Sequence, residues 1–119
     1  MLIRIDASSE VSIFEQIAAA IRTDMAAGHV RPDDKLPSAR EVAASLGVNL
    51  HTVLRAYQVL RDEGLVDMRR GRGAVVTSAA GDLTELVGDI RKLGARAAVL
   101  GMTPDALASL VRDSLKATS

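Results

Sequence analysis

Leu36-Pro-Ser-Ala-Arg-Glu-Val-Ala-Ala-Ser-Leu-Gly-Val-Asn-Leu-His-Thr-Val-Leu-Arg-Ala-Tyr-Gln-Val-Leu-Arg-Asp-Glu-Gly-Leu-Val-Asp-Met-Arg-Arg-Gly-Arg-Gly-Ala-Val-Val76 is the stretch on which the fold turns. Ser38 with Glu41 three residues later is a capping box and predicts a helix from Ala39. Val42, Ala43 and Leu46 then share one of its faces. Gly47 stops this helix, and Asn49 caps the next after a turn short enough for a helix-turn-helix. Val53, Ala56, Tyr57 and Leu60 form the inward stripe of the second helix. Leu50, His51, Thr52, Leu54, Arg55, Gln58 and Arg61 are left outward or flanking, and Gly64 ends the helix. A strand over Leu65–Met68, a basic glycine-rich turn over Arg69–Gly73 and a second strand over Ala74–Thr77 follow. Together they make a winged helix.

Upstream, Ser12 is placed to cap a helix from Ile13 to about Ala27, with Ile13, Ile17, Ala20, Ile21 and Met25 as its apolar stripe and Gly28 closing it. Before it, Met1–Ile5 fits a short strand or an extended arm equally well. Val30 offers a minimal strand, and Pro32-Asp33-Asp34 is a turn set by the fixed φ of proline. Pro37 keeps its predecessor extended and marks the boundary ahead of Ser38. Three helices and a hairpin thus share one core over residues 1–78. Downstream, the small and polar Thr77–Gly81 reads as a hinge. Leu83, Leu86, Ile90, Leu93, Ala97 and Leu100 then recur at alternating steps of three and four. Thr103 caps a last helix that has Pro104 at its first position and Leu107, Leu110, Val111 and Leu115 on one face. Two such helices bury too little to stand alone, so they pack on the first domain or on a second copy of themselves. The expected fold class is mainly α (α+β).

The 119 residues suit one domain plus an appendage. Phe14 and Tyr57 are the only aromatic residues, which argues against RNA and single strands, whose bases stack on aromatic side chains. The absence of cysteine removes disulfides, thiolate zinc sites and thiol catalysis. No signal pattern opens the chain and no apolar run approaches the ~20 residues that cross a bilayer, so a cytoplasmic protein with no membrane partner is expected. Fifteen Lys and Arg balance fifteen Asp and Glu, against the excess basicity usual in nucleic-acid domains. Distribution qualifies that sum, because Arg69, Arg70 and Arg72 fall together while acids cluster at Asp33-Asp34 and Asp62-Glu63.

No catalytic constellation is present. The two histidines are far apart, no serine sits on a strand-to-helix elbow, and the Gly71-Arg72-Gly73 turn lacks the Lys-Ser/Thr of a phosphate loop. No enzyme, cofactor or metal is expected. His29 reads more readily as a charge partner at a helix end than as a metal ligand with Asp33 and Asp34.

Ser12-Ile-Phe-Glu-Gln-Ile17, Gly28, Lys35-Leu-Pro-Ser-Ala-Arg40, Leu46-Gly-Val-Asn49, Thr52-Val53, Arg55-Ala-Tyr57, Glu63-Gly-Leu-Val66 and Gly71-Arg-Gly73, in this order and spacing, resemble the GntR family of bacterial transcription regulators. Asn49 with Arg55-Ala-Tyr-Gln58 resembles its short YtrA-like subgroup. The resemblance spans Ile5 to Val76. It implies a homodimeric, sequence-specific transcription regulator on double-stranded DNA, a repressor whose two-fold symmetry matches a palindromic operator. Residues 82–117 then form a helical dimerisation segment with Leu83, Leu86, Ile90, Leu93, Ala97, Leu100, Leu107, Leu110 and Val111 at its seam.

A duplex-binding protein needs phosphate contacts for affinity and a few side chains at base edges for specificity. The Asn49 turn is expected to bring Leu50, His51, Thr52 and Arg55 to the major groove. The resemblance adds Ser38 at a phosphate, Arg40 at the groove floor and the wing tip Arg70-Gly71-Arg72 in the minor groove. Leu50 and Leu54 stand where many family members carry arginine, so an operator sequence is not carried over. Arg40 and Arg55 keep a plainer alternative as solvated charges in i,i+4 pairs. A reading of a different class also stands: a winged helix used as a protein-interaction module, supported by the zero net charge. Fewer than 40 residues follow Gly81, too few to enclose a small-molecule pocket, which leaves an effector open.

Overall fold

The computed structural model describes residues 3–118, with side chains through Lys116. Met1 and Leu2 of the anticipated arm lie outside the described residues. Among the described residues, five helices and one two-stranded antiparallel sheet follow in the order α1 (Ile13–Ala26), α2 (Ala39–Leu46), α3 (Leu50–Asp62), β1 (Val66–Arg69), β2 (Gly73–Val76), α4 (Ala79–Val99) and α5 (Pro104–Thr118). This is the expected mainly helical winged helix. The chain divides into two compact units, one through Glu85 and one from Leu86, so the boundary falls within α4.

In the first unit α3 packs against α1, α2 and β1. Ile17, Ile21 and Met25 of α1 meet Val42 and Ala43 of α2, Val53, Ala56, Tyr57 and Leu60 of α3, and Val66 and Val76 of the hairpin in one buried cluster. Ala18 is buried where Ala20 was expected, because the spine of Ile17, Ile21 and Met25 takes in the flank on the Ala18 side. Ile3 and Ile5 are half-buried against the same core without forming a strand.

Local signals set the helix ends. The Ser38 hydroxyl accepts the Glu41 amide at 3.1 Å, and the Asn49 side chain accepts the His51 amide at 2.7 Å. At the end of α3, Gly64 takes a φ of 80°, and the Leu65 amide donates back to the Leu60 carbonyl at 2.9 Å. That left-handed residue suits glycine, which has no Cβ to clash. Ser12 occupies the cap position of α1, but its hydroxyl makes no capping bond. Gln16 instead ties the segment before α1 to the helix. Its Oε1 accepts the Asp6 amide at 2.7 Å, while its Nε2 donates to the carbonyls of Asp6 and Val11 at 3.0 and 2.8 Å.

Two expectations about the connections fail for local reasons. Val30 forms no strand and is a buried apolar residue. The Arg31–Asp34 turn, with Asp33 at φ 72°, reverses the chain first, and the following segment lies along β2. There the Asp33 amide donates to Val76 at 2.8 Å, Val76 donates to Asp34 at 2.8 Å, and Leu36 donates to Ala74 at 2.9 Å. Thr77–Gly81 is not a hinge. The Thr77 hydroxyl donates to the Gly64 carbonyl at 2.6 Å, α4 has begun by Ala79, and Ala80 is buried in the first unit's core. The Thr84 hydroxyl, donating to the Met25 carbonyl at 3.0 Å, fastens the start of α4 to the end of α1.

In the second unit, α4 ends through Gly101, with the Met102 amide donating to Ala97 and the Gly101 amide to Ala98, both at 3.0 Å. This is the Schellman pattern. Thr103 caps α5 as expected, its hydroxyl accepting the Ala106 amide at 3.1 Å.

The most consequential buried polar contact belongs to Tyr57. Its hydroxyl donates to the Pro37 carbonyl at 2.6 Å, tying α3 to the residue that precedes the α2 cap. Burial pushes the phenol up to about 12, with the Glu41 carboxylate adding to the rise. The folded protein therefore favours the neutral phenol more than the unfolded chain does. The resulting stability is fully present below pH 10 and is lost as pH rises toward 12. Tyr57→Phe should cost about 1 kcal/mol at neutral pH. Urea unfolding from pH 8 upward should show the gap between wild type and variant closing above pH 10.

Candidate nucleic-acid interface

Four of the nine predicted contacts, Leu50, His51, Thr52 and Arg55, lie in the first half of α3. With Asn49 holding the first turn, His51 is exposed and Thr52 half-exposed. Leu50 is partly buried against the core, so only part of it is offered outward. Arg55 is exposed on the face one turn beyond His51, and its guanidinium carbon lies 4.0 Å from the centroid of the Phe14 ring. Phe14, Asn49, His51, Thr52 and Arg55 line one shallow hollow.

Ser38 and Arg40 sit at the start of α2, both exposed. The Ser38 oxygen serves as acceptor within the cap, which leaves its O–H able to donate to an outside oxygen. Arg40 has no ion-pair partner among the described residues. The i,i+4 pairing proposed as the plainer fate of Arg40 and Arg55 is not formed.

The wing is a tight hairpin in which Arg69 pairs with Gly73. The Arg72 amide donates to the Arg69 carbonyl at 3.1 Å, and Gly71 has a φ of 82°. With Arg70 at negative φ this is the pattern of a type II turn, whose third residue requires the left-handed region. Arg69 leans toward Asp67 at 3.7 Å. Arg70 and Arg72 are exposed and have no acidic partner among the described residues.

A second concavity, of about 200 Å³, joins the wing to the helices. Lys35, Ser38, Leu54, Met68, Gly71 and Arg72 lie around it, and Tyr57 lines it as well. The structure thus gathers Ser38, Gly71 and Arg72 around one cleft and His51, Thr52 and Arg55 around the other. Arg40 and Arg70 line neither. Phe14 and Lys35 are additions that the sequence reading lacked. Lys35 stands directly before the Leu-Pro-Ser run, a local signal that was available. Phe14 had none, since its partner lies 41 positions away.

His29 places Nδ1 3.7 Å from the Asp24 carboxylate in the last turn of α1. Among the described residues no group of three His, Cys, Asp or Glu is placed to hold a metal ion. No described helix is long and apolar enough to cross a membrane. Of the anticipated seam, Leu83 belongs to the first unit and is half-buried on its core. In the second unit Ala97 is buried and Leu107 half-buried. Leu86 and Ile90 are each 52% exposed and Leu100 78%, with Leu93, Leu110 and Val111 also exposed.

Residues 13–76 match the family described as bacterial regulatory proteins, gntR family. The chain is 39% identical over 79 residues to the transcriptional repressor YtrA of Bacillus subtilis, an alignment covering 66% of this chain and 61% of that protein. Among solved structures it resembles YtrA from Sulfolobus acidocaldarius, described as a GntR-family transcription factor, with 35% identity and a TM-score of 0.61 over 96% of this chain and 97% of that one. It also resembles the DNA-binding domain of AraR in complex with an operator, with 25% identity and a TM-score of 0.55 over 65% of this chain and 94% of that one. The chain spans less than two thirds of the Bacillus relative's length. The family match covers more than half of the sequence, and the helix order, cap residues and wing agree with it: this chain belongs to the GntR family of bacterial regulatory proteins, in its YtrA-like subgroup.

Proposed function

We propose that the protein is a cytoplasmic, homodimeric transcription regulator that binds a palindromic operator in double-stranded DNA and represses by occluding a promoter. One observation carries the reading. Arg40, Arg70 and Arg72 are exposed and lack acidic partners among the described residues, and His51 is exposed at the start of α3. Exposed cations without partners together with an exposed polar helix start are what phosphate neutralisation and groove entry require. The operator complex of the AraR domain and the repressor named YtrA support the same class of function. Zero net charge, the main support for a protein-interaction module, does not describe how the charge is distributed, and Arg40, Arg70 and Arg72 have no acidic partner among the described residues.

In this role Arg40 reads bases and the wing arginines grip the backbone. Arg40→Ala should cost about 1–3 kcal/mol on a duplex selected from a random pool, and relax base preference at one position per half-site. Arg70→Ala should weaken selected and scrambled duplexes equally and lower the salt slope by about 1. Anisotropy titrations at several salt concentrations separate the two. A loss of preference with Arg70→Ala alone reverses the assignment, and no binding to any duplex at low salt by folded protein ends it.

The dimer is assigned to the second unit. Leu93, Ala97, Leu100, Leu107 and Leu110 line a groove, Leu86 and Ile90 are exposed on the same helix α4, and fully burying such side chains is worth roughly 1.5–3 kcal/mol each. Two helices that bury little between themselves need a partner surface, and a symmetric copy supplies one. Ile90→Glu should convert the dimer to a monomer in sedimentation equilibrium while the melting temperature of the first unit stays put. A dimer that survives this change places the interface elsewhere.

A further inference from the structure

The Phe14–Arg55 contact is a feature that neither the core nor the helix-turn-helix needs. Phe14 is the second residue of α1 and is half-buried, so its ring is already fixed by packing. Arg55 belongs to α3, is exposed, and has its guanidinium carbon 4.0 Å from the ring centroid. At that separation the ring covers one face of the guanidinium and attracts its charge through the ring quadrupole. The five N–H donors lie in the guanidinium plane and point along its edge. No carboxylate or carbonyl takes any of them among the described residues. A long cationic side chain is therefore held with its donors unspent, at the rim of a hollow that it shares with Asn49, His51 and Thr52.

We infer that Phe14 is a positioning residue for DNA binding, its ring holding the Arg55 guanidinium for a phosphate of the duplex backbone. The inference rests on the DNA-binding reading above. A phosphate rather than a base follows from the placement. The ring holds Arg55 on the flank of α3 that faces α1, not on the flank that shares the cleft with Leu54 and the wing. In a helix-turn-helix laid in a major groove, the flanks of the reading helix meet the backbone while its leading turn meets the bases. The guanidinium edge suits two phosphate oxygens at once. Arginine also loses much rotamer freedom when it binds, and one already stacked has given up part of that freedom beforehand.

A double-mutant cycle on a selected duplex and on a scrambled duplex of equal length tests this. Arg55→Ala should weaken both duplexes alike and lower the salt slope by about 1. Phe14→Leu keeps the charge, so the salt slope should hold while affinity for both duplexes falls about two- to five-fold. Phe14→Trp should restore wild-type affinity. In the Arg55→Ala background, Phe14→Leu should change affinity no further, even where thermal unfolding shows that it lowers stability in both backgrounds. An undiminished Phe14→Leu effect without Arg55 makes Phe14 a structural residue only and overturns the inference. A shift in base preference with Arg55→Ala overturns the phosphate assignment. Wild-type protein that is folded yet binds neither duplex defeats the DNA-binding reading itself, whereas binding with an additive cycle defeats only the role of Phe14.

Discussion

A single buried hydroxyl holds the two helices of the reading unit in register. Tyr57 lies at the centre of α3 and donates to the Pro37 carbonyl, the last peptide before the Ser38 cap. An apolar residue there would bury as much surface but would leave the Pro37 carbonyl without this donor. With the Leu36 amide bonded to Ala74, the Tyr57 hydrogen bond helps fix how the chain enters α2, and so where the α2 cap and Arg40 lie relative to α3. The same ring lines the cleft that the wing shares. A polar group buried among apolar neighbours is costly when unpaired and specifying when paired. Here it sets the geometry of the surface proposed to meet DNA.

The parts of this fold that were legible in the sequence are those governed by neighbours a few residues apart. Ser38, Asn49 and Thr103 cap helices, and glycines end them, because capping is decided within one turn of chain. The inward stripe of α3 follows from helical period alone. What escaped notice depends on chain segments that meet only after folding. The clamp of Gln16 on the Asp6 and Val11 carbonyls, the Arg22–Glu63 pair and the stacking of Arg55 on Phe14 have no local signature. Ser12 shows the converse. Its type and position fit a cap, yet its hydroxyl makes no capping bond. Thr77–Gly81 misled because small residues mark both hinges and tight packing. Ala80 is small because it is buried, and Thr77 is polar because the end of α3 accepts its hydroxyl.

The balance of charge carries a similar lesson. A sum of zero does not describe the local field, since Glu63 is paired with Arg22 while Arg40, Arg70 and Arg72 lack acidic partners among the described residues. Long-range attraction to a polyanion responds to the local field, not the total. Exposed pairs such as Arg22–Glu63 add little to stability, at most about 1 kcal/mol.

The two leucines on α3 shape what kind of reader this protein is, given the proposed role. Leu50 spends part of its side chain on the core, and Leu54 lies in the cleft with Met68 and Ala74. Neither presents a donor to guanine, so direct readout falls to Arg40, His51 and Thr52, a small set. Few base contacts mean modest discrimination per half-site, since each good bidentate contact is worth roughly 1–3 kcal/mol. Further selectivity must then come from the spacing that a paired second unit imposes on two half-sites. The exposed leucine-rich faces of α4 and α5 would on this view contribute to specificity as much as the reading helix does, by deciding how far apart two weakly selective heads are held.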